Sequence, residues 1–505
     1  MLDFNLLNIK YERFLEDLSA ILQHSDNLKI FGLVSFLFAV FLFNSYKKLH
    51  YVGYAKFKIN NKIKRKDVIF FAIINIFLLL ILIYLFPINV PFVDDWIYLN
   101  SNQYNNNSYK FFLALEGNHS FLFYKILSFL NFTFLRLSQQ FYNLFGIFLL
   151  GLTALIFLKS GFLEKKSNIS QFIFISILFF PKQIINITQS VNLIWLFFLF
   201  FTALFVCTAN SSKISRLHSL SIFLGPHSIG SGIVLPIYAL FRNLLERKKN
   251  NYFYFFFSII SLLVIFSLLP KFSDYSVTKS SSIIEEFVTH FSVLNLLGLP
   301  VVIANIFAPP HFYFFPFPLI LGVIQLVVLF KIELHNLKNF KNVTKFFIEN
   351  PLIIIGLMSS VLIVLFRNFP EYLSARYSTV SIIFQLGFIL WIFKIKNFFV
   401  LKKIFVYLYF SYYCISWFLP YEGFFQHLIK YSQSINVESC YAEAFDKHQS
   451  LDLCDNYAYK TLFYGGTWFD RLSFGNSIVF LRDNNLSFFY KLSDMPKFSE
   501  LENEL

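Results

Sequence analysis

Between Ile30 and Leu419 the chain alternates long apolar runs with short polar loops. A run of roughly 20 apolar residues matches a hydrocarbon core about 30 Å thick, because a helix rises about 1.5 Å per residue. Residues 30–43, 68–86, 144–158, 171–180, 191–208, 252–269, 352–366, 377–393 and 404–419 each read as a membrane-crossing helix. Two shorter runs, 217–224 and 233–240, flank Gly225-Pro226-His227-Ser228-Ile229-Gly230-Ser231-Gly232 and predict a hairpin or a broken helix pair. Irregular backbone at that depth survives only where protein or water satisfies its polar groups. Between residues 291 and 330 the pattern is interrupted by Pro300, Pro309, Pro310, Pro316 and Pro318, which leaves one or three crossings. The pattern predicts an all-α polytopic membrane bundle of about 11–13 helices.

Composition agrees: of 505 residues, 56% are hydrophobic and only 14% are charged, against about 25% charged in soluble proteins. An ordinary soluble enzyme is excluded. The net charge of +14 raises the question of a nucleic-acid partner, and its location answers it. Residues 1–28 carry −3 and residues 421–505 carry −5, so the stretch between them holds +22, concentrated in short loops. That is the mark of cytoplasmic loops, and no nucleic acid is expected. The acid-free stretch from Lys47 to Lys66 is therefore inside, and the acidic segment 1–28 is extracytoplasmic. No cleavable signal peptide is evident. Counting on, the transmembrane domain covers 29–420, with a first large outer loop at about 87–140 and an outer tail at 421–505. This describes a multi-pass protein of a bacterial plasma membrane.

Cys207 and Cys414 fall within apolar runs and read as small buried hydrophobes, whereas Cys440 and Cys454 lie in the tail on the oxidising side, where a disulfide is expected. No phosphate loop, zinc-protease helix or Rossmann fingerprint occurs. The chemistry gathers instead at the outer ends of the spans. Pro91-Phe92-Val93-Asp94-Asp95-Trp96 places two adjacent carboxylates near an interface, where repulsion and lost hydration raise proton affinity as a general base requires; an N-cap or a solvated turn is the other reading. Glu116-Gly117-Asn118-His119-Ser120 opens an amphipathic stretch with Lys125 and Arg136, read as a loop and an interfacial helix. Lys182, within Pro181–Gln189 at an outer turn, and Arg367 and Arg376, in the outer turn 367–378, are cations on the side the charge bias disfavours. Snorkelling, or an ion pair of Glu371 with Arg376, would account for each alone. Together, carboxylates on one wall and cations on another suit a phosphorylated lipid attacked by a hydroxyl.

In order, Asp94-Asp95-Trp96, Gly117-Asn118-His119, Pro181-x-Gln183-x-x-Asn186, Ser228 with Gly232 and Pro236, Ser374-x-Arg376-Tyr377, and the tail with Cys440, Cys454 and Leu486-Ser487-Phe488-Phe489 resemble the GT-C superfamily of integral membrane glycosyltransferases. That superfamily includes protein O-mannosyltransferases, lipid A aminoarabinose transferases and arabinofuranosyltransferases. The resemblance implies a GT-C-like bundle with its active site on the extracytoplasmic face and a polyprenyl-phosphate-linked sugar as donor. No cofactor or metal is implied, and the acceptor is a lipid or surface glycan. It implies that Asp94 or Asp95 is the catalytic base. Substrate contacts are expected from Arg376, Lys182, Gln183, Asn186, Tyr377, His119, Glu116 and Arg367. Ser120 stands where the group often has Arg. A transporter or flippase of a lipid-linked saccharide is the alternative; charged groups in the middle of spans would favour it.

Overall fold

The computed structural model describes residues 63–91, 121–209, 215–246, 251–272, 298–307, 316–334, 340–367, 375–395, 399–417, 423–446 and 451–462, with short pieces between 478 and 487. Among them every regular element is helical. The first segment, 1–28, and the run at 30–43 lie outside the described residues. In chain order come α1 (Arg65–Leu85), α2 (Leu122–Leu135), α3 (Gln139–Lys159), α4 (Asn168–Leu178), α5 (Ile184–Thr188), α6 (Leu193–Thr208), α7 (Arg216–Leu224), α8 (Val234–Glu246) and α9 (Asn251–Phe272). After them follow α10 (Gly298–Ile303), α11 (Pro316–Leu334), α12 (Phe340–Glu349), α13 (Pro351–Phe366), α14 (Ser378–Lys394), α15 (Phe399–Ser416), α16 (Gly423–Asp446) and α17 (Asp452–Leu462).

Four stretches are long and apolar enough to cross a membrane: α1, α3, Asn168–Thr188 and Ser190–Thr208; α12 with α13, bent by 89°, makes a fifth if counted as one span. On α1, Phe70, Ile73, Phe77, Leu80 and Tyr84 form an exposed stripe at three- and four-residue spacing, while the opposite side packs in the core. A helix that is apolar all round with one side uncovered belongs in lipid. Outward faces of the same kind occur on α3 (Leu144, Phe148, Leu155) and α11 (Ile320, Val323, Ile324, Val327). By contrast α4 and α14 are buried on every side and form the centre, with α4 packed on α1, α14 and α15, and α14 on α13, α10 and α6.

Without a hydrophobic drive between helices in lipid, close packing and interhelical hydrogen bonds hold such a bundle. Tyr413 of α15 donates to Asn75 of α1, and Gln385 of α14 bonds Gln325 of α11 at 2.9 Å, with Tyr409 completing that group. The proline-rich stretch resolves into two elements. The 6-residue α10, too short to cross, packs against the 19-residue α11, with the Pro300 carbonyl against Gly322, where a Cβ would collide with it. With 19 residues, α11 is the longer of the two.

The Gly225–Gly232 interruption is a tight reversal: α7 ends in the 3-10 turn Gly225–His227, and Gly230–Ile233 leads into α8. Gly232 lies against the carbonyl of Gly225, an approach that a Cβ would block. With 9 residues, α7 rises only about 14 Å, so the pair enters and returns to its own end.

The loops the sequence assigns inside do meet at one end: Arg65 Nη1 pairs with Glu164 at 2.6 Å, Asn168 Nδ2 donates to the Ile63 carbonyl at 2.8 Å, and Lys394 pairs with Glu349. At the other end, α16 seals the bundle. His427 Nε2 reaches the Phe86 carbonyl at 2.8 Å, and the backbone N–H of Val90 donates to Ser434 Oγ at 3.2 Å. Residues 423–446, read from sequence as part of a polar tail, are thus packed on the bundle. Cys440 of α16 and Cys454 of α17 form a disulfide with Cα atoms 5.7 Å apart, and Tyr441 donates to Asp455 beside it. Burial holds Asp455 above the ordinary carboxylate range. Replacing both cysteines by Ala is expected to cost the tail roughly 2–4 kcal/mol. Limited proteolysis would show it as cleavage at α17 under conditions that leave the oxidised wild type whole.

Candidate functional site

The end of the bundle that α16 covers is organised by residues 181–192. Pro181 has no N–H and ends the hydrogen-bond ladder of α4, so the chain continues as the 3-10 turn Pro181–Gln183, then α5, then an extended step at Gln189 (φ −105°, ψ 118°) into a second 3-10 turn, Ser190–Asn192. The reversal lies at Gln189 rather than at Lys182. Lys182 sits 6 residues inside the 21-residue stretch Asn168–Thr188 and is 1% exposed. Polar residues are concentrated here although the surroundings are apolar: Lys182, Gln183, Asn186, Thr188, Ser190 and Asn192 are all buried.

Each has a defined environment. Lys182 Nζ donates to the Asn305 carbonyl at 2.7 Å, in the 3-10 turn that follows α10. Asn186 Nδ2 donates to Gln183 Oε1 at 2.8 Å and to Thr379 Oγ1 at 2.9 Å, and Thr379 Oγ1 donates to Gln183 Oε1 at 3.1 Å. The Arg376 carbonyl lies 3.5 Å from Asn186 Nδ2, its guanidinium carbon stands 5.3 Å from the Tyr377 ring centre, and Tyr377 packs edge-on to Trp195 at 5.3 Å. Lys182, Gln183, Asn186, Arg376 and Tyr377 are therefore neighbours, although almost 200 residues separate the two groups in sequence. Gln183 Nε2 and Asn186 Oδ1 are buried with no hydrogen-bond partner among the described residues. Each such atom costs about 1–3 kcal/mol in a packed interior.

Two further lysines are buried. Lys430 of α16 donates to Thr188 Oγ1 at 3.4 Å and is 4% exposed. Lys125 of α2 is 1% exposed and follows Tyr124, whose hydroxyl lies 3.2 Å from Ser190 Oγ. Sequence reading put Lys125 on an interfacial helix with its polar side to water. Instead α2 buries Lys125, Ser128 and Asn131 and exposes Ile126, Leu130 and Phe134, the arrangement that lipid favours. Lys430 was missed because a Lys in a polar tail carries no sign of burial. His427, one turn earlier on α16, adds no charge: burial pushes its imidazole down to about 4.

Asp94, Asp95, Glu116 and His119 lie outside the described residues. Arg367 is the C-cap of α13 and is half-buried. Among the described residues no group of three or more His, Cys, Asp or Glu is placed to hold a metal ion.

No family model, curated protein or solved structure matches the chain. Its class follows from the fold: an all-helical protein with four, or five, helices able to span a membrane.

Proposed function

We propose that the chain is a membrane glycosyltransferase that moves a sugar from a polyprenyl-phosphate donor to a lipid or glycan acceptor at the extracytoplasmic face. The observation that carries this reading is the cationic, polar floor around residues 181–192, where Lys182 and Lys430, both at most 4% exposed, come from separate chain segments, with Arg376 half-buried at its edge. Ammonium groups attract phosphate, and Arg matches phosphate oxygens in a bidentate fork.

Chain connectivity supports a nearby position for the carboxylates: Val90 is held by Ser434, one turn beyond Lys430 on α16, Asn89 Nδ2 donates to Glu438 at 3.0 Å, and Asp94 follows Val90 by four residues, a reach of at most about 14 Å. In the mechanism, Asp94 or Asp95 takes the proton of the acceptor hydroxyl as its oxygen attacks the anomeric carbon. The phosphate departs with the bonding electron pair, and Arg376 and the lysines stabilise that anion. Direct displacement inverts the anomeric configuration. The unsatisfied Gln183 and Asn186 amide atoms are suited to sugar hydroxyls.

Arg376→Ala is expected to lower kcat/KM for the lipid-linked donor by roughly 10–100-fold, the worth of one charge-assisted contact, and Lys430→Gln by less. Transfer from labelled lipid-linked sugar to extracted acceptor measures both; wild-type rates in both variants would remove the phosphate-binding role.

One observation favours a second reading, a carrier of the lipid-linked saccharide: Lys182 lies inside a spanning stretch, and the helices at 178–193 and 224–234 are broken. Comparison of lipids and surface glycans from cells with and without the gene distinguishes the two when combined with vesicle assays. A transferase yields labelled acceptor in detergent, whereas a carrier moves donor across sealed vesicles and yields none.

A further inference from the structure

At the opposite, basic end, α12 meets α13 at 89°. It carries Lys341 and Lys345 exposed and Phe346, Phe347 and Ile348 half-buried. Tyr238 fixes it to α8, donating to the Phe347 carbonyl at 2.8 Å and stacking on that ring at 4.8 Å. An amphipathic helix perpendicular to a spanning helix lies in the plane of the interface and marks the depth of the headgroups.

At the end of α12, at that depth, an open cleft is lined by Lys166, Lys394, Glu349 and Asn350 and touches the buried Leu352 and Leu390. The three segments come from separate loops. Glu349 pairs with Lys394 and stands 4.0 Å from Lys345, so a single carboxylate faces three ammonium groups counting Lys166. Burial and the charge of Lys394 pull the Lys166 ammonium below its ordinary range, with Glu349 opposing. Among the described residues the cleft thus holds surplus positive charge at headgroup level, on the side where anionic lipid concentrates.

We propose that this inner-face cleft binds the phosphate of an anionic phospholipid, gripped by Lys166 and Lys394. Glu349 opposes the phosphate and sets the affinity. The site is separate from the outer floor and does not depend on what is done there.

The test uses the full chain in a neutral detergent and follows lipid binding by native mass spectrometry while phosphatidylglycerol, phosphatidylcholine or inorganic phosphate is added. Saturable binding of phosphatidylglycerol over phosphatidylcholine is expected. The K166Q/K394Q double variant is expected to weaken it roughly 30-fold, and E349Q to strengthen it about 5-fold, at about 1 kcal/mol per charge. Tightening by E349Q is a result that a purely structural Glu349–Lys394 pair would not give, and it stands even if the double variant folds poorly. Equal binding of both lipids, unchanged or weaker binding by E349Q, or competition by millimolar inorganic phosphate as effective as the lipid, would overturn the proposal.

Discussion

Asp94→Asn and Asp95→Asn, made separately, are expected to abolish transfer from a labelled lipid-linked donor in at least one variant, with a loss of about 10²–10⁴-fold, while expression and membrane insertion remain unchanged. Asn keeps the volume and hydrogen-bonding reach of the carboxylate and removes only its capacity to take a proton, so the loss reports the base rather than the fold. Adjacent carboxylates share charge. Once one is neutral, the survivor no longer feels its neighbour's repulsion, and its proton affinity falls. The variant that keeps partial activity should therefore show an acid limb of its pH–rate profile shifted to lower pH. A transferase reading does not survive near-normal rates in both variants. A loss of insertion in both would instead assign the pair to helix capping.

Gly387→Leu and Gly356→Leu are expected to have the largest effect on stability. The two glycines sit on the facing helices α14 and α13, the most intimate pair in the bundle. A Cβ on Gly387 would stand 2.5 Å from the Ile353 nitrogen, and one on Gly356 2.6 Å from the Phe384 Cα. Backbone cannot yield as a side chain does, so even Ala forces the helices apart. Overpacking of this kind costs typically 1–3 kcal/mol, and Leu adds three further carbons. Small residues buy close approach where lipid tails offer no hydrophobic drive. Thermal unfolding in detergent, followed by gel filtration, should show earlier aggregation for both Leu variants and a smaller shift for Ala. Unchanged melting would mean that α13 and α14 do not pack this closely.

The apolar runs were legible because each element in lipid must satisfy its own backbone, which makes length and hydropathy sufficient to find α1, α3, α6, α13 and α14. Wrong-side cations were a second legible signal: Lys182 and Arg376 stood out by charge and are neighbours through Asn186. Their depth was not legible. A Lys beside Pro181 reads as a turn, since sequence does not show that α10 and its 3-10 turn bring the Asn305 carbonyl to its ammonium. The inverted face of α2 and the burial of Lys430 were hidden for a related reason. Polar periodicity shows that a helix has two sides, and the solvent on each side comes from its neighbours.

By itself, then, the amino-acid sequence determined the class, an all-helical chain with helices able to span a membrane, and a short set of polar residues out of place at the ends of its apolar runs. Hydropathy and charge act locally, through each segment's transfer into lipid and each loop's bias towards one side. Only the tertiary structure decided which of those residues meet. Docking α16 against Phe86, Val90 and Thr188 depends on contacts between segments up to about 340 residues apart. Such contacts arise from the packing of whole helix faces, and no single run of sequence carries that information.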